Sequence, residues 1–414
     1  MAVASREQAA PDPMRLVIVY FGPLNINSAI QAFHFGNDLT AVGWHVTLAA
    51  GVGDPQTIRE VGEPSFDCVT HHDLPVVLEQ ARHAPEPTVI LAWTPRENVR
   101  AATENFARRL GAPYVVHLED NEWHLYGAAV GRPFDEVARL SIAEQDRISP
   151  ETLIHPARSE RFMSQAAGIT VITEELNEFN HAGLPHHVAR PGIDPERFRP
   201  DLEPPLSREA LGIARDEFVI VYHGTVHYAN QHEMLSLYLG VKLLQRRGRK
   251  VRLVRLGETE LGGVDPRSLG ALREGVLELG SVGWREIPGY LALADAFVQP
   301  GAADDFNRYR LPSKLPEFLA MGRPVVLPDC NIGHDLVDGE SALLLHEGDG
   351  LEIAARVEQL LDDAELRARL AAGARSFALE QLDWERNSLG LGRFLRGVAT
   401  DAPPVLSASA PVAA

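Results

Sequence analysis

"RLPSKLPEFLAMGRPVVLPD" occupies residues 310–329, and its reading decides the fold. Pro316 sets where the helix starts. Proline lacks an amide hydrogen, so it is tolerated only in a helix's first turn. With Ser313 as N-cap, Lys314, Leu315 and Pro316 fill that turn and no hydrogen bond is lost. Serine is a favoured cap because its oxygen accepts from an early amide. Leu315, Phe318 and Leu319 then form the buried side. Lys314 and Glu317, three residues apart, share a different face. The apolar "VVLP" that follows reads as a strand. A capped helix feeding a wholly apolar strand is one step of an α/β succession.

The same succession runs outward in both directions. "RLVIVYFG" (15–22), "HVTLAA" (45–50), "TVILAW" (88–93), "YVVHLED" (114–120) and "GITVIT" (168–173) are strand-like. Strand-like runs restart at "FVIVYHG" (218–224), with "VRLVRLG" (251–257), "VLELGSV" (276–282), "AFVQP" (296–300) and "ALLLH" (342–346). Continuous rather than alternating apolar runs imply burial on both faces, hence parallel sheets covered by helices. A proline- and charge-rich segment with little apolar periodicity separates the two series. The expected organisation is a Rossmann-like domain over 14–190, a linker over 191–215 and a second Rossmann-like domain over 216–380. A C-terminal helix over 381–400 is expected to pack back towards the first domain. Residues 1–13 and the tail 401–414 read as disordered. Two doubly wound domains leave a cleft, and ligands of such sheets bind beyond the carboxyl ends of the strands.

Composition narrows the function. The 414 residues exceed one ordinary core. A net charge of -18 argues against nucleic acid and against docking on anionic lipid through a broad basic face. Cys68 and Cys330 lie far apart in apparent strands. They fit reduced core thiols in a cytoplasmic protein, without disulfide frame or metal spacing. No apolar run approaches the roughly 18 residues a membrane span needs.

The chemistry legible in 310–329 is anion binding. Unpaired amides and the dipole at a helix start favour negative charge. Lys314 and Arg310 add full positive charge. A diphosphate suits the helix start, and Glu317 can accept two hydrogen bonds from the vicinal hydroxyls of a ribose. The alternative is a solvated Lys314–Glu317 pair contributing a few tenths of a kcal/mol.

The run "VGWREIPGYLALADAFVQPGAADDFNRYRLPSKLPEFLAMGRPVVLPDCNIGHDLVDGESALLLHEGD", with "LLDDAELRARLAAGAR" and "LDWE", resembles the carboxyl-terminal domain of the retaining glycosyltransferases of family 4, which have the GT-B fold. "VIVYFGPLNINSAIQAFHFGNDLTAVGWHVTL" and "SQAAGITVITEELNEFNHAGLPHHVARPGIDPERFRP" resemble the family's first domain more loosely. The resemblance implies an α/β fold of two Rossmann-like doubly wound domains facing a central cleft. It implies transfer from a nucleotide-diphospho-sugar donor, with retention at the anomeric carbon. Glu317 matches the second glutamate of the family's E-x7-E motif, the ribose ligand. The position of the first is Tyr309, so Asp304 or Asp305 stands in for it by the sugar hydroxyls. His117 matches the histidine near the transferred sugar, and Gly22 the glycine loop that approaches the phosphate. Gly224 matches the glycine after the first strand of the second domain. Thr225 and Asn230 stand where the family carries an arginine and a lysine on the diphosphate. Arg310, Lys314 and the amides after Ser313 are then expected to carry that charge.

"EDNE" (119–122) reads as an acceptor-side loop, with Glu119, Asp120 and Trp123 as contacts, rather than as a metal site. His223 and His227 lack a third ligand, and no D-x-D pair stands out, so neither metal nor cofactor is expected. "VRLGETELGG" (254–263) is a strand-end loop near the nucleotide base. "GLGRFLRG" (390–397) does not lead from a strand into a helix and is set aside as a phosphate loop. The donor and a glycosyl acceptor are the expected partners. Two other functions fit the same fold: a nucleotide-sugar epimerase, or a non-catalytic partner subunit that lost the two cations.

Overall fold

A computed structural model describes residues 13–82, 85–226, 230–259 and 266–401. Nearly all of the termini expected to be disordered, together with His227 and residues 260–263 of the strand-end loop, fall outside the described residues, whereas Asp401 ends a helix. The chain forms two compact units. One comprises the residues up to Arg190 together with those from Trp384 on; the other is Pro191–Asp383.

The first unit is built on a seven-stranded sheet of order β3-β2-β1-β4-β5-β6-β7. Its strands are β1 (Arg15–Tyr20), β2 (His45–Ala50), β3 (Asp67–Thr70), β4 (Thr88–Trp93), β5 (Tyr114–Leu118), β6 (Gly168–Val171) and β7 (His186–Val188). Every pairing is parallel. The apolar runs of β1, β4 and β5 are buried almost throughout, as two covered faces require. The short polar strands β3 and β7 sit at the edges; β3 holds Cys68 as read from the sequence, β7 was not read as a strand, and Cys330 lies just beyond the strand Val325–Pro328 rather than in it. Helices Asn27–Ala41 and Trp384–Asp401 pack together on this unit. His34 stacks on Trp384 with ring centroids 4.2 Å apart, and Ser388 donates to Asp38 at 2.6 Å.

The second unit has a six-stranded parallel sheet of order β10-β9-β8-β11-β12-β13. The strands are β8 (Phe218–His223), β9 (Val251–Leu256), β10 (Val276–Gly280), β11 (Ala296–Val298), β12 (Val325–Pro328) and β13 (Leu343–Leu345). Two apolar clusters line its faces. One is formed largely by the helix Lys314–Ala320 with Phe297 and Leu327, the other by Gln231–Arg246 with Ile353 and Val357. The segment read as a linker is not a free tether. Ile193, Phe198 and Ile213 are buried in the first of these clusters, so residues 191–215 belong to the second unit's core. Proline and charge are frequent there, but these apolar anchors fasten the segment.

In both sheets the order reverses beside the first strand, between β1 and β4 and between β8 and β11. Loops leaving the carboxyl ends at such a switch point diverge and open a crevice. Gly22 and Thr94 follow the two strands in the first unit; Gly224 and residues 299–313 follow them in the second.

Candidate functional site

The helix Lys314–Ala320 starts where Pro316 requires, with the proline inside its first turn. Its cap differs from the expectation. Ser313 has helical φ and ψ, and its side chain caps no amide. The turn is closed instead by Leu315 N–H donating to the Pro312 carbonyl at 2.9 Å. The helix has only 7 residues, so its macrodipole is small and the anion-attracting character of this tip rests on Lys314 itself.

Lys314 lies against the end of β8. Its Nζ is 5.0 Å from the centroid of the Tyr222 ring. A Cβ added to Gly224 would meet its Cε at 3.0 Å and its Nζ at 3.4 Å. Gly224 also has φ +121°, a conformation side-chain-bearing residues rarely adopt. Glycine is thus required here by backbone conformation and by the close approach of the lysine stem. No carboxylate pairs with Lys314 among the described residues.

Glu317 is mostly buried, and its Oε2 is 2.6 Å from Nε2 of His223, the last residue of β8. Neither atom has an aligned hydrogen bond among the described residues, so both retain capacity towards a ligand. His223 was weighed in the sequence only as a metal ligand. Among the described residues no group of three or more His, Cys, Asp or Glu could hold a metal ion.

Arg310 is close by but committed elsewhere. Its Nη2 donates to both carboxylate oxygens of Glu233 at 2.8 Å, and its Nε and Nη2 donate to Asn307 Oδ1 at 3.0 and 2.7 Å. The guanidinium also covers the Phe306 ring at 3.9 Å. Its field is largely cancelled by Glu233, so its expected role as a free cation on a diphosphate is corrected to that of a brace for the loop after β11. Asn331 completes the brace, donating to the carbonyls of Asn307 and Arg310 at 2.7 and 2.8 Å from a left-handed backbone of φ 45°. Asp304 is spent as a helix cap, accepting from Asn307 N–H at 2.9 Å, while Asp305 stays exposed. Asn230 donates to the Thr225 carbonyl at 3.0 Å and fastens the Gly224 loop.

In the first unit, His117 is not at the strand end. It is 1% exposed inside the sheet, with Nδ1 2.9 Å from Thr170 Oγ1 and its ring against Trp93. Burial holds its pKa down at about 3, so it is neutral. Its Nε2 is buried and has no hydrogen-bond partner among the described residues, so the ring is enclosed within the sheet rather than displayed at its end. Because β5 stops at Leu118, Glu119 takes the strand-end position. It is 7% exposed, and burial pushes its carboxyl up to about 7 against the opposing pull of Ser28, Trp93 and Arg96. Asp120 follows it, half-buried. Across the switch point Thr94 is fully buried with φ 74°, an uncommon conformation for a non-glycine residue. Glu122 is fully buried and paired with Arg96 at 3.0 Å. Trp123 stacks on Phe179 at 4.5 Å and meets Phe134 edge-on, so one ring face is already covered. Gly22 has no positive φ, and a Cβ there would make only an ordinary contact with Ile26 at 3.5 Å. Nothing inside the unit demands a glycine at that position.

Sequence reading missed Glu233, Asn307, Asn331 and the fully buried Arg255 on β9. Only Arg255 had a signal, one of two arginines set among the apolar residues of "VRLVRL".

Residues 217–363 match the family model for glycosyl transferases group 1. Over 375 residues the chain is 28% identical to the D-inositol 3-phosphate glycosyltransferase of Frankia alni, covering 84% of this chain and 85% of that protein. It is 32% identical over 134 residues to the alpha-D-kanosaminyltransferase of Streptomyces kanamyceticus, a third of each chain. Anabaena HepE, solved in complex with UDP and glucose, superposes with a TM-score of 0.64 at 16% identity, covering 92% of this chain and 99% of that one. That likeness, with the two parallel sheets, establishes the GT-B fold.

Proposed function

We propose that this chain, a GT-B glycosyltransferase, moves a sugar from a nucleoside diphospho-sugar to an acceptor hydroxyl with retention at the anomeric carbon. The observation that carries the reading is the pairing of Lys314 with the Gly224 turn, one helical turn from the His223–Glu317 contact. A cation and a carboxylate thereby stand together at the carboxyl end of β8, the switch point of the second unit's sheet. When the bond from the anomeric carbon to the leaving phosphate breaks, negative charge grows on the diphosphate. A fixed cation in a partly dry site lowers that barrier by several kcal/mol. Lys314 has that role. Glu317 takes the ribose hydroxyls, with His223 Nε2 lying 2.6 Å from one of its carboxylate oxygens.

Gly224, Thr225 and Asn230 shape the turn that receives the phosphates, and Asn230 keeps it closed by bonding to the Thr225 carbonyl. Exposed Asp305 and Ser313 border the donor sugar side of the loop after β11. The acceptor side is assigned to the first unit, with Glu119 and Asp120 at the end of β5, while Gly22 beyond β1 keeps its expected place by the phosphate. The bound donor of HepE, together with the sequence resemblance, supports a nucleotide sugar as the donor here. No cofactor enters this reading.

Calorimetry with uridine, guanosine and adenosine diphosphates tests it. One of the three is expected to bind, and Glu317→Ala to weaken it by about 10- to 100-fold through lost charge-assisted hydrogen bonds. If all three fail to bind the folded protein, or Glu317→Ala leaves affinity unchanged, the assignment is wrong.

A further inference from the structure

Arg255 lies near the carboxyl end of β9, the second strand from one edge of the second unit's sheet, and is 0% exposed. The strand register sets Tyr222, Arg255 and Glu278 in one row across β8, β9 and β10. Taking a guanidinium out of water costs several kcal/mol, and well-packed apolar residues often replace a buried ion pair without loss of stability. Stability alone is therefore a weak reason for its presence.

Its hydrogen bonds indicate what it does. Nε donates to Glu278 Oε2 at 2.8 Å. Nη1 donates to the Gly224 carbonyl at 3.1 Å, and Nη2 to the Gly257 carbonyl at 2.8 Å and to Thr259 Oγ1. One planar group thus grips the turns that leave β8 and β9. Those turns touch: a Cβ on Gly257 would fall 2.7 Å from the carbonyl carbon and oxygen of Gly224. Val226 N–H donates to the Glu258 carbonyl at 2.9 Å, and Gly257 N–H to the Gly280 carbonyl at 2.7 Å, so the ends of β8, β9 and β10 form one stack. Glu278 is itself fixed by Arg273 at 3.0 Å and Tyr238 at 3.3 Å.

We infer that Arg255 is a positioning residue for the donor site: through the Gly224 and Gly257 carbonyls it sets the turn on which Lys314 rests. Lys314 is within reach of this control because its stem lies on Gly224 and its ammonium over Tyr222, Arg255's neighbour in the row. Arg255 never meets the ligand. It acts because a displaced Gly224 displaces the lysine. The fork geometry is needed, since a lysine ammonium is a compact point charge on a flexible stem and does not span carbonyls on two strands and a carboxylate on a third. The inference rests on the donor-site reading above.

The test compares wild type, Arg255→Lys and Thr259→Val. It measures nucleoside diphosphate affinity by calorimetry at low temperature, KM and kcat for nucleoside diphosphate release from the nucleotide sugar, and thermal midpoint. Arg255→Lys is expected to stay folded, raise Kd and donor KM by about tenfold, and lower kcat by at least as much, because the displaced lysine acts mainly in the transition state. Thr259→Val, which removes one outer contact, is expected to shift Kd in the same direction by about threefold, with the midpoint nearly unchanged. A lowered midpoint with unchanged Kd and KM in both variants assigns Arg255 to stability alone and overturns the inference. If Arg255→Lys does not fold, Thr259→Val decides by the same criterion. Failure of the wild type to bind any nucleoside diphosphate overturns the donor-site reading as well, and this distinguishes the two failures.

Discussion

Replacing Lys314 by methionine removes a charge while keeping most of an unbranched stem. The stem lies between Tyr222 and the Gly224 turn, and methionine fills the same space, so the fold is expected to survive with a change under about 1 kcal/mol. The electrostatic effect is larger. A unit charge about 4 Å from a developing negative charge, at an effective dielectric constant of about 20, interacts by about 4 kcal/mol. Part of that is already present with bound donor, leaving about 3 kcal/mol specific to the transition state. Removing a single preorganised donor elsewhere costs a similar amount. The expected fall in kcat is therefore about 100-fold, within a range of about tenfold to 1000-fold. The assay is release of nucleoside diphosphate from the nucleotide sugar under saturating donor. Lys314→Arg keeps the charge but places a larger planar group against Gly224, and intermediate activity is expected. A Lys314→Met enzyme with kcat within about threefold of wild type would refute the assignment, because the neighbouring Arg310 is already neutralised by Glu233 and could not mask so large a loss.

Gly224→Ala should act on stability and turnover together. The φ of +121° imposes strain of about 1–3 kcal/mol on alanine, and the new Cβ sits 3.0 Å from Lys314 Cε. A thermal midpoint and kcat both unchanged would mean that the turn relaxes freely. Glu119 gives a pH signature. Its folded pKa, about 7 through burial, lies above the ordinary carboxylate value, so the folded state holds its proton more tightly than the unfolded chain. The resulting stability, on the order of 3 kcal/mol at about 1.4 kcal/mol per pH unit, is present below about pH 4.5 and is lost as pH rises through 7. Glu119→Gln should flatten that decline between pH 5 and 8 in chemical denaturation, and an unaltered slope would place the titration elsewhere.

The α/β succession was legible because strands buried on both faces write continuous apolar runs, and "VIVY", "VILAW" and "VVLP" are such runs. The edge strands were hardly so: "DCVT" and "HHV" are short, polar and only half covered, and of the two only the position of Cys68 in β3 was read as strand. Strand ends also escaped the pattern. "YVVHLED" gives no sign that pairing stops at Leu118, yet that stop decides whether His117 or Glu119 meets the loop side. The linker reading failed for a related reason: proline and charge dominate 191–215 in number, while three apolar side chains decide where it packs.

Charged residues show the deepest limit. A sequence displays the sign of each side chain but not its partner, and the partner decides how much of the charge reaches a ligand. Arg310 and Lys314 looked equivalent, four residues apart before one helix. In the folded unit Arg310 is held by a glutamate 77 positions away in sequence, which cancels most of its field. Lys314 meets an aromatic ring and a glycine, neither of which neutralises it. Glu233 sits in the first turn of the helix Gln231–Arg246, where its spacing reads as an ordinary helix-start acid. Only the crossover that brings that helix start beside the loop after β11 makes it the arginine's counter-ion. The comparison is itself open to experiment. Glu233→Gln should release Arg310 towards a bound diphosphate and tighten nucleoside diphosphate binding, provided Asn307 and Asn331 keep the loop in place. Weaker binding in a folded Glu233→Gln protein would show that bracing the loop matters more than the charge it conceals.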